Sequence, residues 1–476
     1  MCEGGGVVYK NRYVDARRRS SAWNTNRRWA GRRFVRHMRA RRRSALACAL
    51  ACALARRGGA AGRDFVRVVA ANAFARGCET FAFAGFNAYA LPDIAAERAA
   101  DAMFGVDHGR GRGRRAVEIV LDRAREGGMN AARTWAFSVN ALRPTWRRDD
   151  EGRLRHDETF LIGLDRVVEE IARRDMVVVL ALADHWHTVS EFLKECAGDA
   201  EAPTSEFYAS PACRDMYKWH AGVILRRYAD EPAVAAWNLI NEPRCRGCDD
   251  ALQDWIEDAA TFVKSIASNQ LVTVGAEGFY SGDSANVAAN PASWAATTGQ
   301  DFVRNHAPDA IDFASIHLWR DNWAVYSTAA RFDAEGFGLR WLDAHEADAR
   351  VLRKPIVVEE FGAAPGGVRA LARSGEGREG QLRRTSVRDE RGVERYYRSI
   401  LSRVHQSIAD EDRGYIRGAL FWGLFPESMR SAVDRWDPYA VYPSDAAFAQ
   451  AARFASSTGR LASTIASCNE TVIKKK

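Results

Sequence analysis

Residues 235–245 read AAWNLINEPRC, a short apolar run that ends in an acid, Glu242. Residues 354–362 read KPIVVEEFG and repeat this arrangement, with Glu360 at the end of a second apolar run. Short apolar runs are typical of strands buried in a parallel sheet, and an acid at the end of such a strand is costly to desolvate. Two such acids predict a pair of carboxyl groups flanking a bond to be cleaved, and therefore an enzyme that hydrolyses glycosidic bonds.

Runs of this kind recur from Phe65 onward and alternate with amphipathic stretches. Alternation of strand and helix predicts parallel strands joined by helical crossovers. Eight repeats predict an α/β fold, a (β/α)8 TIM barrel with enlarged loops. A doubly wound sheet is disfavoured, because no glycine-rich fingerprint follows the first strand. The predicted strands are 81–87, 130–136, 176–182, 235–241, 271–275, 311–317, 356–360 and 419–422, and the predicted helices include 161–174, 213–228, 251–266 and 395–408.

The net charge of +8 is distributed unevenly along the 476 residues. Residues 1–64 hold 17 Lys and Arg against 3 Asp and Glu, whereas the other 412 residues hold 52 against 58. A nucleic-acid partner is not expected, because the basic charge does not belong to the predicted barrel. We divide the chain into an Arg-rich leader (1–64), a single catalytic domain (65–460) with a flexible loop insertion at 363–392, and a short tail (461–476).

The sequence of the leader predicts a targeting signal. Three arginines at 41–43 precede the apolar segment 45–55, ALACALACALA, which small residues follow. This order is that of a secretory signal and predicts an extracellular protein; the alternative is an Arg-rich organelle transit peptide. Eleven apolar residues are too few to span a bilayer, so we predict no membrane-spanning segment. We further expect a monomer.

Polar or aromatic side chains stand at every predicted strand end, where TIM barrels carry their chemistry. Glu242 is predicted as the general acid, because partial desolvation keeps a carboxyl group protonated; the alternative is a helix-capping acid before Pro243. Glu360 is predicted as the nucleophile, with Arg133 as a hydrogen-bond donor. Since successive strand residues face opposite ways, Glu359 is expected to face the helical shell.

The histidines, Trp422 and the cysteines each allow more than one interpretation. His185-x-His187 is similar to the metal-binding pair of barrel metallohydrolases, but only His317 offers a further histidine ligand, so we expect a polar substrate loop and neither a metal nor another cofactor. His317 is expected to bond the acid pair, and Trp422 to form a floor for a stacked sugar in preference to ordinary core. Cys245-Arg-Gly-Cys248 favours a local disulfide over zinc, and Cys196 and Cys213 offer a second pair.

At these residues the chain resembles glycoside hydrolase family 5, and within it the plant and fungal endo-β-1,4-mannanases. The resemblance extends from about residue 65 to 442. NEP and a late EFG are shared by many retaining barrels, whereas NEPRC, GFNAY, RTWAFS and EGFY are narrower. The matching runs are GFNAYAL (85–91), ARTWAFS (132–138), GLDRVVEEIARR (163–174), WNLINEPRC (237–245), LQDWIEDAATFVKSI (252–266), GAEGFYS (275–281), DFASIHLW (312–319), KPIVVEEFG (354–362) and GALFWGL (418–424).

The resemblance implies endo-hydrolysis of β-1,4-mannosidic bonds in mannan, glucomannan or galactomannan, with retained configuration and no cofactor. It implies Glu242 as acid/base and Glu360 as nucleophile, with the carboxyl groups about 5 Å apart. The implied substrate-binding residues are Asn241 at the sugar 2-hydroxyl, Arg133 and His317 ordering the carboxylates, Arg244 on the leaving-group side, and Trp135, Trp319 and Trp422 in the cleft.

Three positions depart from the family pattern. Relatives usually carry Tyr at Trp319, with its hydroxyl donating to the nucleophile, Trp at Ala90, and a pair of Asn at Asp184-His185. The acids are intact, so the departures bear on the substrate more than on the reaction. The rival hypotheses are another family-5 β-glycanase, a mannan transglycosylase, and a carbohydrate-binding protein without turnover.

Overall fold

The computed structural model describes residues 64–97, 111–140, 143–325, 334–365, 368–370, 382–384, 389–435 and 437–473. Residues 59–476 form one compact unit. The predicted leader, apart from its last residue, lies outside the described residues, as does most of the predicted insertion at 363–392. Within the described part, no helix has the length and apolarity needed to cross a bilayer.

Eight parallel strands form the central sheet, and all eight coincide with predicted strands, with ends shifted by up to three residues. The strands are β1 (Phe83–Asn87), β2 (Ala131–Trp135), β3 (Val177–Ala181), β4 (Val234–Asn238), β5 (Leu271–Thr273), β6 (Ala314–Trp319), β7 (Ile356–Gly362) and β8 (Ile416–Phe421). Hydrogen-bonded neighbours follow the order β5-β4-β3-β2-β1-β8-β7-β6. The sheet confirms the (β/α)8 barrel.

The first and last strands of that order, β5 and β6, meet through a mixture of backbone and side-chain bonds. The Asp312 amide donates to the Val272 carbonyl over 2.8 Å, and Asp312 Oδ2 accepts from the Val272 amide over 2.7 Å. Further along, Ser315 Oγ accepts from the Gly275 amide over 3.0 Å. Since buried backbone groups must be paired, these side chains help to close the barrel at this seam.

The helices lie between the strands, as the alternating pattern predicts. In Glu158–Arg173, buried apolar residues recur every three or four positions, which is the spacing of one helix face. The Asp157 carboxylate accepts from the Thr159 amide over 2.9 Å and caps the first turn. In the part of the chain that the structure describes, the other α-helices are Leu91–Ala95, Arg112–Glu126, Thr188–Cys196, Thr204–Ala209, Pro211–Tyr228, Asp249–Ile266, Phe302–His306, Arg320–Val325, Ala334–Leu352, Glu390–Ala409, Arg430–Val433 and Ala446–Ile473.

Smaller elements surround the barrel. Val66–Ala70, Ala73–Arg76 and Glu79–Phe81 form an antiparallel sheet, and its Phe74 packs with Phe83 of β1 and Phe313 just before β6. These rings join the apolar cluster formed by inward residues of the strands. The last helix, Ala446–Ile473, continues through the predicted boundary at 460/461. The remaining short strands among the described residues are Trp146–Arg148, Leu154–His156, Val368–Ala370 and Leu382–Arg384.

Within the described residues, two disulfide bonds join the two cysteine pairs that the sequence offers. Cys196 is bonded to Cys213, and Cys245 to Cys248. The second bond lies just after the run that ends in Glu242.

The sequence expectation for Glu359 is wrong. The register between β6 and β7 pairs Ile316 with Val358 and then His317 with Glu360, so Glu359 is an extra residue in β7. Such an irregularity interrupts the regular alternation of side chains. Glu359 therefore lies inside the barrel, where Asn238 Nδ2 donates to its Oε2 over 2.7 Å.

Candidate active site

The predicted site residues gather at the carboxyl ends of the barrel strands. β2 carries Arg133 and Trp135, β6 carries His317 and Trp319, and β7 carries Glu360. The other four follow strand ends: Asn241, Glu242 and Arg244 come after β4, and Trp422 comes directly after β8. The contacts described below connect all nine into one cluster.

Two carboxyl groups form the centre of this cluster. One oxygen of Glu242, one of Glu360 and one nitrogen of His317 all lie within 4.8 Å of one another. His317 Nδ1 is 2.7 Å from Glu242 Oε1 and 3.4 Å from Glu360 Oε2. This spacing is close to that of the carboxyl pair in retaining glycosidases, about 5–5.5 Å.

Glu242 has an unusual backbone conformation. Its φ of 50° lies in the left-handed region, which a non-glycine residue adopts at a cost of about 1–2 kcal/mol. The Glu242 amide donates to the Gly275 carbonyl over 2.8 Å, and Trp186 Nε1 donates to its Oε2 over 2.7 Å. These contacts and His317 hold the carboxylate of Glu242 in place, while its backbone stays in a strained conformation of the kind that is common at functional sites.

Glu360 is buried and accepts hydrogen bonds on both oxygens. Arg133 Nη1 donates to Oε1, and Trp319 Nε1 donates to Oε2 over 3.1 Å. Burial raises the pKa of Glu360 to about 7; Glu242 acts in the same direction, while His317 and Arg133 lower it. The indole N–H of Trp319 thus supplies the donor to the second oxygen of this carboxylate.

His317 is a neutral partner in this arrangement. Burial lowers its pKa to about 4, against the raising effect of Glu360. The imidazole is therefore uncharged at neutral pH and can place one N–H toward Glu242. Trp341 Nε1 donates to the His317 carbonyl over 2.9 Å and holds the strand end in place.

Arg133 connects Glu360 to Asn241. Its Nη1 donates also to Asn87 Oδ1 over 3.0 Å, and its Nη2 donates to Asn241 Oδ1 over 2.7 Å. Asn241 Nδ2 donates in turn to Asp184 Oδ1 over 2.9 Å. Asp184 therefore sets the orientation of the Asn241 amide, a role that the sequence did not assign to it.

Aromatic rings form one wall of the cluster around Trp422. Its indole stacks on Tyr89 at 5.1 Å between centroids and lies 5.9 Å from Trp135 and 5.7 Å from Trp319. Trp422 Nε1 donates to Asp437 Oδ2 over 2.8 Å, which fixes the plane of the ring. Flat, rigid aromatic surfaces of this kind suit the apolar faces of sugar rings.

Arg244 is held on the Glu242 side of the cluster. Its guanidinium donates to both oxygens of Glu277, over 2.5 and 3.2 Å, and lies against the rings of Trp186 at 4.7 Å and Trp294 at 5.4 Å. Burial raises the pKa of Glu277, while Arg244 lowers it. Such a clamped, stacked guanidinium is a rigid donor for polar ligands.

Trp186 is a functional candidate that sequence reasoning placed only in a substrate loop. Its ring is 38% exposed, although its N–H reaches Glu242. The available signal was its position directly after the third strand end. Its neighbour His187 is exposed, and within the described residues the cluster of three metal-type donors contains His317, Glu242 and Glu360 and neither His185 nor His187.

We expect Trp186→Phe to lower kcat/KM on the substrate by about 10-fold or more, since a hydrogen bond to a charged group contributes about 1.5–3 kcal/mol. The phenyl ring still packs on Arg244, so the change removes mainly the N–H. Trp294→Phe, at another indole against the same guanidinium, is the matched control in steady-state kinetics. Equal losses in both variants would mean that ring packing, and not the bond to Glu242, is responsible.

Comparisons with known proteins identify the family to which the chain is similar. A family model described as GH family 5 beta-mannosidase-like matches residues 63–194 and 194–445. Mannan endo-1,4-beta-mannosidase 8 of Oryza sativa subsp. japonica is 32% identical over 76% of this chain and 90% of its own length. Putative mannan endo-1,4-beta-mannosidase 4 of Arabidopsis thaliana is 33% identical over 66% of this chain and 75% of its own.

Solved structures share the fold at lower sequence identity. A glycoside hydrolase family 5 mannosidase from Rhizomucor miehei is 20% identical, with a TM-score of 0.65 over 84% of this chain and 99% of its own. The endo-beta-1,4-mannanase of Thermotoga petrophila is 19% identical, with a TM-score of 0.59 over 79% of this chain and 77% of its own.

Proposed function

Because this chain belongs to glycoside hydrolase family 5, in its beta-mannosidase-like group, we propose that it is an endo-acting enzyme that cleaves β-1,4-mannosidic bonds in mannan, glucomannan or galactomannan by a retaining double displacement. The names of its plant relatives support the substrate. The single observation that carries the mechanism is the pair of carboxyl groups, Glu242 and Glu360, within 4.8 Å of each other.

In the first step, a Glu360 oxygen attacks the anomeric carbon while Glu242 donates its proton to the glycosidic oxygen. The bond to the leaving chain breaks, and the sugar remains attached to Glu360 as a covalent glycosyl ester. In the second step, Glu242, now a carboxylate, takes a proton from water. The water oxygen attacks the anomeric carbon from the opposite side to Glu360 as the glycosyl ester bond breaks, so Glu360 leaves as a carboxylate and the original configuration is restored.

The surrounding residues would stabilise these steps. Asn241 keeps one amide hydrogen for the sugar 2-hydroxyl, because Asp184 and Arg133 hold the rest of its amide. Trp422 would carry the sugar at the cleavage point, and the exposed Trp186 with Arg244 would contact the leaving chain. The Trp319 N–H would stay bonded to Glu360 while the Glu360 carboxylate loses its negative charge in forming the glycosyl ester.

The direct test is release of reducing ends from mannan, glucomannan and carboxymethyl-cellulose, by protein starting near Phe65, with product analysis by chromatography. Cleavage of the mannan substrates into mixed oligosaccharides would support an endo-mannanase. Cleavage of the cellulose derivative alone would favour another β-glycanase. Binding without release would favour a carbohydrate-binding protein, with Trp319→Tyr as the first reversion to assay. Activity that persists with a chelator would contradict metal-dependent chemistry.

The pH dependence of kcat/KM is expected to show an acid limb set by Glu360. Its pKa of about 7 means that lowering the pH protonates the nucleophile, so activity declines as the pH falls through that region. Arg133 lowers this pKa, and therefore Arg133→Gln should move the limb to higher pH. A limb that stays in place in this variant would contradict its assignment to Glu360.

We also propose that the protein is exported and acts as a monomer. Disulfides form and persist in oxidising compartments, and the bonds Cys196–Cys213 and Cys245–Cys248 fit such a location. Fractionation of cells that produce the full chain, followed by N-terminal sequencing of the mature protein and a mass measurement in solution, tests export, processing and oligomeric state together.

A further inference from the structure

A third carboxyl group, Glu359, lies inside the barrel next to the carboxyl pair. It is fully buried, and its Oε2 accepts from Asn238 Nδ2 over 2.7 Å. Gly275 makes this contact possible, because a Cβ at that position would overlap the Asn238 amide. The absence of a side chain at Gly275 therefore leaves the space that the Asn238 amide occupies beside Glu359.

The side chains of Glu359 and Asn238 each have one further polar atom that lacks a hydrogen-bond partner. Within the described residues, neither Glu359 Oε1 nor Asn238 Oδ1 has a hydrogen-bond partner, although both are buried. An ionised carboxylate and an amide oxygen are both acceptors, so neither atom can satisfy the other. A single proton on Glu359 would supply the missing donor, and leaving buried acceptors unpaired is costly.

The charge balance around Arg133 leads to the same state. Arg133 Nη1 donates to Glu360, while its Nε lies 3.9 Å from Glu359 Oε2, too far for a hydrogen bond. One guanidinium neutralises one carboxylate, and a second buried charge is expensive. The charged group that acts on Glu359 is Arg133 from β2, and Glu360 is adjacent in its own strand, while β4 contributes the neutral Asn238 and β6 the neutral Ser315.

We propose that Glu359 keeps a proton in the resting enzyme and donates it to the amide oxygen of Asn238, so that the charge of Arg133 is left to Glu360. Acid and amide then form a closed ring of two hydrogen bonds, one in each direction. Glu359 is a positioning residue, since it acts on the reaction through Arg133. This inference rests on the proposed function, because it takes Glu360 as the nucleophile.

Burial raises the pKa of Glu359 to about 7, although Arg133, Asn238 and Ser315 all lower it. Burial raises the pKa of Glu360 to about 7 as well, so the proton is assigned to Glu359 by its unpaired oxygen and by the bond from Arg133 to Glu360. The folded protein therefore holds this proton more tightly than the unfolded chain does. The stability that this provides is present at low pH and is lost as the pH rises toward and through about 7.

The proton can be observed directly by difference infrared spectroscopy. At about pH 6, below the pKa of about 7, wild type minus Glu359→Gln is expected to show the carbonyl stretch of a protonated carboxyl group. Glu346→Gln is the matched control: Glu346 is also buried, but Arg403 and Ser407 bond it, and hydrogen bonds lower its pKa despite burial. Absence of the band from the first difference spectrum would overturn the proposal.

An exchange of the two side chains tests whether the proton matters for Glu360. Asn238→Asp places a second acid beside Glu359 and should shift the acid limb of kcat/KM to higher pH, because the added negative charge competes for Arg133. The double variant Asn238→Asp/Glu359→Gln restores one acid and one amide, so the limb should return toward its wild-type position. Failure of the double variant to recover, with its fold intact by circular dichroism, would overturn the positioning role.

The infrared result does not depend on turnover. A band present in a protein that cleaves no mannan would support the proton on Glu359 and overturn only the proposed function. Mannan cleavage by a protein that shows no such band would support the proposed function and overturn the proposal of a proton on Glu359.

Discussion

Glu360→Ala is expected to abolish mannan cleavage, with kcat lowered by at least about 10⁴-fold, because loss of a covalent nucleophile removes the reaction path itself. The variant should remain folded. The substitution removes a buried carboxyl group whose pKa is raised to about 7 by burial, so the cost of burying that group is lost with it. Arg133 keeps its bonds to Asn87 and Asn241. A melting temperature close to that of wild type is therefore expected.

The decisive measurement is rescue of this variant by azide, with an aryl β-mannobioside as substrate. Azide can occupy the space left by the carboxylate and attack the anomeric carbon once, which gives a glycosyl azide of inverted configuration. The product is identified by proton magnetic resonance. Rescue with retained configuration would mean that Glu360 is not the nucleophile, and substantial residual mannan cleavage would contradict the covalent mechanism.

Glu242→Gln is expected to lower kcat on mannan by about 10²–10⁴-fold, the usual contribution of a general acid–base group. Glutamine keeps the size of the side chain and can still meet Trp186 and His317, but it provides no acidic proton. An aryl glycoside has a leaving group that departs without protonation. Its first step should therefore be nearly unaffected, and the covalent intermediate should accumulate.

Pre-steady-state kinetics check this prediction through a burst of aryl alcohol followed by slow turnover. Azide should accelerate turnover of Glu242→Ala and give a product of retained configuration, opposite to that from Glu360→Ala. If both variants gave the same anomer, the two glutamates could not hold the two different roles assigned to them. Equal losses on mannan and aryl substrates in Glu242→Gln would instead indicate a general loss of binding.

The fold could be predicted because its signal is local. Strands buried on both faces are short apolar runs, and in this chain polar residues mark where such runs end. The apolar run that contains Val177–Ala181, for example, ends at Asp184. The predicted strand at 235–241 ended three residues too late, since Leu239 and Ile240 are buried outside β4. Apolar character alone cannot distinguish a strand from a buried loop.

The site was predicted only as a set of positions. Parallel strands end at the same edge of a barrel, so Arg133, His317 and Glu360 had to lie near one another once the barrel was assumed. The bonds from Trp186 to Glu242 and from Asp437 to Trp422 depend on loop paths that no periodicity describes. The inward position of Glu359 depends on one extra residue in β7, which leaves no mark on the apolar pattern.

The sequence by itself determined the barrel, the two acids at the ends of its fourth and seventh strands, and the family to which the chain belongs. These follow from apolar runs and short motifs, which act over a few residues. Only the tertiary structure decided which oxygen of Glu360 meets Trp319, how Arg133 is shared, and that Glu359 faces Asn238 inside the barrel. The physical reason is that these hydrogen bonds join residues 41 to 227 positions apart, and their energies depend on distances that a linear pattern does not contain.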